Sequence, residues 1–163
     1  MKKGIAGQVF IYIIALFLVA FIMIYGYKAI KTLTTKTDQI TFLKFKTDLE
    51  SAVGSISSDY GSVERKTFFI GDKYKKACFV TSYQSFYTDS ASLSAITEPV
   101  IRDSVKSEVE DNAFLVMATV EDSFNAGDIE VNNIYHFLCI DVIAGNVKIQ
   151  LEGKGDHAVI STW

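Results

Sequence analysis

The stretch Val9 to Tyr27, VFIYIIALFLVAFIMIYGY, carries no charge over nineteen residues. As a helix it is about 29 Å long, which matches the hydrocarbon core of a bilayer. It is too long for the apolar segment of a cleaved secretory signal, and no small-x-small cleavage site follows it. Beyond Tyr27 the apolar residues Ile30, Leu33, Ile40, Leu43, Leu49, Val53 and Ile56 continue, with Phe42 and Phe45 widening the stripe. Steps of three and four dominate, which is helical rather than strand periodicity. Gly54 and the run Ser57-Ser58-Asp59-Tyr60-Gly61 supply a stop. The spacing predicts one helix from Gln8 to Ile56, about 75 Å long, with a membrane-grade first half and an amphipathic second half. Gly26 is the place where it would bend at the membrane surface.

A chain of 163 residues leaves room for one ordinary domain once the span is subtracted. One Pro and ten Gly argue against a collagen-like or disordered chain. The Ser- and Thr-dense segment from Ser82 to Thr97 reads as a surface loop. Charge is divided along the chain. Residues 1–56 hold seven lysines against Asp38, Asp48 and Glu50, a net +4, whereas residues 57–163 carry a net −7. An acidic domain without a basic stripe excludes nucleic acid as a partner. The basic segment suits anionic headgroups and makes the membrane itself a partner. Charge alone leaves the topology open. Lys2 and Lys3 favour a cytoplasmic N-terminus, while Lys28, Lys31 and Lys36 flank the other end at least as densely.

From residue 57 onward the periodicity changes to two. Val63 to Ile70 reads as a strand closed by a Gly71-Asp72 turn, with Lys75 to Tyr83 as its hairpin partner. Thr97 is placed to cap a helix with Glu98 and Pro99 in its first turn. Ile101, Val105 and Val109 would stack on one face of that helix. Ala113 to Val120 reads as a buried strand. Ile134 to Ile143, a Gly145-Asn146 turn and Val147 to Leu151 read as a hairpin, and Gly153 to Asp156 turns into a last strand, His157 to Trp163. The expected fold is α+β: a basic leader over residues 1–7, a transmembrane and amphipathic helix over 8–56, and a head over 57–163. That head is a mostly antiparallel sheet with one packed helix.

No constellation for catalysis stands out, so a structural or binding role is expected and an enzyme or a cofactor is not. His136 and His157 have no metal spacing with Asp141 or Asp156, and Glu121, Asp122, Asp128 and Glu130 fit no calcium loop. Gly153-Lys154-Gly155-Asp156 lacks the strand, loop length and helix of a phosphate loop. Glu108, Glu110 and Asp111 read as a solvated helix end. No Asn-x-Ser/Thr sequon occurs. Cys78 and Cys139 are an even pair: either a disulfide, adding roughly 3–4 kcal/mol through a loop of about 60 residues, or two buried thiols. Tyr83, Phe86 and Tyr87, next to the Ser-rich segment, are candidates for an exposed contact surface, the alternative being aromatics tucked under it.

The helix layout and the leader Lys2-Lys3-Gly4-Ile5-Ala6 resemble those of archaeal type IV pilin-like proteins, whose class III signal places basic residues and a Gly before the apolar segment. The resemblance covers roughly the first 55 residues. It implies cleavage by a prepilin peptidase on the cytoplasmic side, with the apolar helix retained as the filament core. The cut would follow Gly4, after the basic Lys3, or Gly7, leaving Gln8 first. Many pilins carry a Glu five residues into the mature chain, whereas Val9 or Tyr12 stands there in this sequence. The resemblance further implies pilus assembly machinery as a partner, homo-oligomers formed through the N-terminal helix, and a head outside the cell. The other reading of the same residues is a single-pass anchor whose extracytoplasmic head binds a partner without polymerising.

Overall fold

The computed structural model describes residues 4–82 and 90–163. Helix α1 spans Gly4–Ser57, a little beyond the expected Gln8 to Ile56 at both ends. The chain forms two compact units, Met1–Gln39 and Ile40–Trp163. Within the second unit, Phe45, Leu49, Ala52, Val53 and Ile56 recur at helical spacing and are all buried. Leu49 is 0 % exposed, whereas Leu16 in the first unit is 73 % exposed. The same helix therefore supplies a core in one unit and buries no such stripe in the other. In the Thr-rich turns the hydroxyls bond back to carbonyls of the helix itself. Thr32 Oγ1 donates to Lys28 O (2.9 Å), Thr34 Oγ1 to Ile30 O (3.1 Å) and Thr37 Oγ1 to Leu33 O (2.9 Å).

The remaining elements are β1 Val63–Phe69, β2 Lys76–Val80, α2 Ser90–Ala95, α3 Pro99–Lys106, β3 Ala113–Val116, β4 Val120–Phe124, β5 Ile129–Val131, β6 Phe137–Asp141, β7 Asn146–Gly153 and β8 Ala158–Ser161. They build two four-stranded sheets, in the orders β1-β7-β8-β5 and β4-β3-β2-β6. Among the described residues every pair is antiparallel except β5 with β8. The class is α+β, as expected, but the described residues show two sheets in place of one and two short helices in place of one.

Both expected hairpins are corrected. β1 pairs with β7, not with β2, and β2 pairs with β3 and β6. Likewise β6 and β7 part company after a single bridge between Ile143 and Asn146. The two turns that should have closed those hairpins meet each other instead. Ile70 N–H donates to Gly145 O at 2.8 Å and Gly71 N–H to the same oxygen at 3.2 Å. Each turn is thus a crossing from one sheet to the other. The expected strand Ala113 to Val120 is divided at Met117, whose N–H donates to Thr119 O (3.0 Å) before β4 folds back on β3. Helix α3 ends before Val109, which is exposed, because Glu108 takes a left-handed conformation (φ 57°). Thr97 is not the cap: Glu98 holds that position without a side-chain bond, and Pro99 begins the helix.

Burial explains why the central strands read as continuous apolar runs. Ala77, Phe79, Ala113 and Leu115 join the main core with Phe45, Phe68, Phe124 and the inward residues of β7 and β8. Their alternates Cys78, Val80, Phe114 and Val116 pack in a second cluster with Ile101 and Val105 of α3. The second sheet is covered on both faces. Phe45 meets Phe68 of the first sheet and Phe124 of the second edge-on, with ring centroids 5.9 and 5.8 Å apart.

Candidate functional site

The chain's most pronounced chemical feature is the exposed apolar surface of α1. Large side chains from Val9 to Tyr27 are solvent-facing all round the helix, and the most apolar window buries nothing within the chain. One helix near the N-terminus is thus long and apolar enough to cross a membrane. Leu, Ile, Phe and Val dominate it, and an uninterrupted helix satisfies its own backbone, the condition for entering lipid. Phe21 stacks on Tyr25 one turn later, with centroids 6.1 Å apart. Tyr25 and Tyr27 close the run where a bilayer's interface would lie, and Lys28 follows at once.

Of the residues tied to processing, Gly4, Gly7 and Gln8 fall in the first turns of α1, and Lys3 lies outside the described residues. Tyr83, Phe86 and Tyr87 also lie outside them. The two cysteines are joined: Cys78 and Cys139 form a disulfide between β2 and β6, with Cα atoms 4.0 Å apart. They are directly opposed in register. Thr81 N–H donates to His136 O (3.0 Å) three pairs further along, so alternation makes Cys78–Cys139 a non-hydrogen-bonded pair. That is where facing side chains come closest, and it explains why these two positions are bridged.

The acidic residues do not gather. Asp122 accepts the Tyr74 hydroxyl and faces Lys73 Nζ at 3.6 Å, on the second sheet. Glu130 lies on the first sheet, where His157 Nε2 stands 3.0 Å from its Oε2 and Nδ1 stands 2.7 Å from Asp156 Oδ1. The parallel pairing of β5 with β8 creates this Glu-His-Asp row, a non-local contact that residue spacing does not reveal. Both ring nitrogens are engaged by carboxylates. Among the described residues no group of three His, Cys, Asp or Glu is arranged to hold a metal. Beside this row, the hydrogen bond from Lys154 to Glu152 raises the lysine pKa above its ordinary value.

A polar knot unseen in the sequence organises the loop before β5. The Asn112 side chain is buried; its Nδ2 donates to Ser82 Oγ (2.8 Å) and Gly127 O (2.7 Å), and its Oδ1 accepts Ala126 N–H (2.7 Å). Thr81 Oγ1 accepts Val131 N–H at 3.0 Å alongside. An open cleft of about 320 Å³ borders the knot, with Glu110, Asp111 and Asp128 at its rim. Its buried amide is consumed by these structural bonds. No protein family, curated protein or solved structure matches the chain.

Proposed function

We propose that this chain is a pilin-like structural subunit of a surface filament. Its N-terminus is cytoplasmic, residues 57–163 are extracytoplasmic, and copies assemble through α1. The observation that carries this reading is α1, whose apolar first part buries nothing within the chain while the unbroken helix continues into a folded core. Such a surface needs lipid or equivalent helices around it, and side-chain packing among copies takes the place of lipid. Contacts of this kind are heterologous and do not close, which produces a helical filament. The Cys78–Cys139 bond supports the orientation, because a structural disulfide belongs to an oxidising compartment. Prepilin peptidase and pilus assembly machinery enter as partners through the resemblance of the leader.

The test is the N-terminal sequence, by mass spectrometry, of protein recovered from its own membrane or surface fraction. A start at Ile5 or Gln8 means that processing has kept the apolar helix, as the proposal requires. An intact Met1 or Lys2 overturns it and leaves a single-pass anchor whose head binds a partner without polymerising.

A further inference from the structure

The two outer faces of the domain over residues 40–163 differ in cover and in charge. Helix α3 packs on the outer face of the second sheet through Ile101 and Val105. On the first sheet, Arg65 of β1 and Lys148 of β7 alternate with the buried Phe68 and Val147, so they point outward, and both are exposed. Trp163, just past β8, joins them: the Arg65 guanidinium carbon stands 5.5 Å from its ring centroid and Lys148 Nζ 5.2 Å. Arg65 Nε donates to the neutral Gln150 at 2.9 Å. Among the described residues neither cation makes an ion pair. Beside the ring a cleft of about 630 Å³ is walled by Ile140 and Ile143, with Asp141 as its acid. Asp141 stands opposite Lys76 in the β2–β6 register, so the surroundings of the cleft are basic. They are so on a stretch, residues 57–163, whose net charge is −7.

The opposite outer face carries the complement. Glu108, Val109 and Glu110 follow α3 and are all exposed, Val109 at 45 %. Neither glutamate makes an ion pair among the described residues. Lys106 is the cation beside them and Asp111 a third acid, so 106–111 has one positive and three negative charges, a net −2. The segment is held in place: Glu108 N–H donates to Val105 O (3.2 Å) and Val109 N–H to Ser104 O (3.1 Å). An apolar side chain between two carboxylates thus answers an apolar cleft beside two cations. We propose that segment 108–110 of one copy docks on the Trp163 cleft of a second copy, its carboxylates against Arg65 and Lys148. Tryptophan and arginine are the side chains that most often anchor such contacts, and opposite charge sets their register. The two surfaces lie on opposite faces of one domain, so each docked copy still has one of them free. The contact is heterologous and does not close on a pair. In the filament reading, on which it builds, it joins neighbouring copies outside the membrane.

The test is zero-length carbodiimide cross-linking of the full chain, with light and heavy-isotope copies recovered from membranes, mixed in detergent and returned to vesicles. Mass spectrometry of the linked peptides should join Lys148 of one isotope to Glu108 or Glu110 of the other. The yield of the Lys148–Glu110 link should fall as salt rises. Arg65→Glu should lower it about ten-fold, and Glu108→Lys by a similar factor. The two changes together should restore it to within about two-fold of the wild type, which a misfolded variant could not do. An intact Cys78–Cys139 bond verifies folding in each single variant. No link at Lys148 between isotopes overturns the proposal, and so does a link that survives Arg65→Glu. Links only between like isotopes place the contact within one copy and overturn it too, as do links from Lys148 to other carboxylates alone. The N-terminus of the same samples separates the two readings. A chain starting at Ile5 or Gln8 without these links sinks the docking contact and leaves the filament. A chain intact at Met1 that still gives them sinks the filament and leaves the contact.

Discussion

Gly153 lies against the carbonyl oxygens of Ile56 and Asp59 so closely that a Cβ at this position would overlap both. Around it, Gly153 N–H donates to Ser62 O (3.0 Å) and Gly61 N–H to Gly153 O (2.8 Å). Two residues later Gly155 N–H caps Ser57 O at 2.7 Å, satisfying a carbonyl that the helix end leaves unpaired. The end of α1 is seated on the end of β7 and the turn after it by these backbone contacts, with Ile56 buried in the core beside them.

Gly153→Ala should therefore destabilise residues 40–163 by about 3 kcal/mol, the upper range for an overpacked site. The opposing atoms are backbone and have no rotamer to give. Thermal unfolding of the full chain checks it; a melting temperature equal to that of the wild type would show that α1 is not seated there.

Cys78→Ala removes a cross-link that closes about half of residues 40–163 into a loop. With the cysteines 61 positions apart in sequence, the chain-entropy model gives a loss of about 4 kcal/mol. Chemical denaturation with and without reductant measures this. Two free thiols per wild-type chain under denaturing, non-reducing conditions would refute the bond itself.

Asn112→Ala leaves the Ala126 N–H and the Gly127 carbonyl without their present partner. The expected cost is about 2–3 kcal/mol, the desolvation penalty of buried, unpaired groups. Faster amide exchange at Ala126 and Ile129, beyond the global change, would locate the effect in the loop before β5. Uniform exchange would assign it elsewhere.

Leu18→Lys places a charge in the middle of the apolar run, where insertion costs about 3 kcal/mol. The protein should move from the membrane fraction to the soluble or degraded fraction. Normal membrane recovery would show that Val9 to Tyr27 is not a span.

How much of this was legible in the sequence depends on the range of each interaction. The helix was readable within a few residues at either end because an uncharged run from Val9 to Tyr27 leads into nine apolar positions at helical spacing. Strand locations were readable too, but not their partners. Gly71-Asp72 and Gly145-Asn146 carry hairpin turn chemistry, yet each sends the chain to the opposite sheet. What decides the partner is burial of Phe68 and Val147 against Phe45 and its neighbours, and no local pattern encodes that choice. The turn at Met117–Thr119 has neither Gly nor Pro and so left no signal. The disulfide was half-legible: the even count pointed to it, and only the β2–β6 register decided between bond and thiols. The knot around Asn112 and the Glu130-His157-Asp156 row depend on residues far apart in sequence, and spacing cannot join them.

The register that sets Val63 opposite Glu152 and Phe69 opposite Asn146 also governs when folding can occur. Neither β1 nor β2 finds its β7 or β6 partner until most of the domain has been synthesised. β1–β7, β2–β6 and β5–β8 all join strands far apart in sequence, so contact order is high and collapse to the native sheets is slow. A domain wired in this way stays unfolded while it is being made. It closes around the end of α1 only once nearly the whole of it is present.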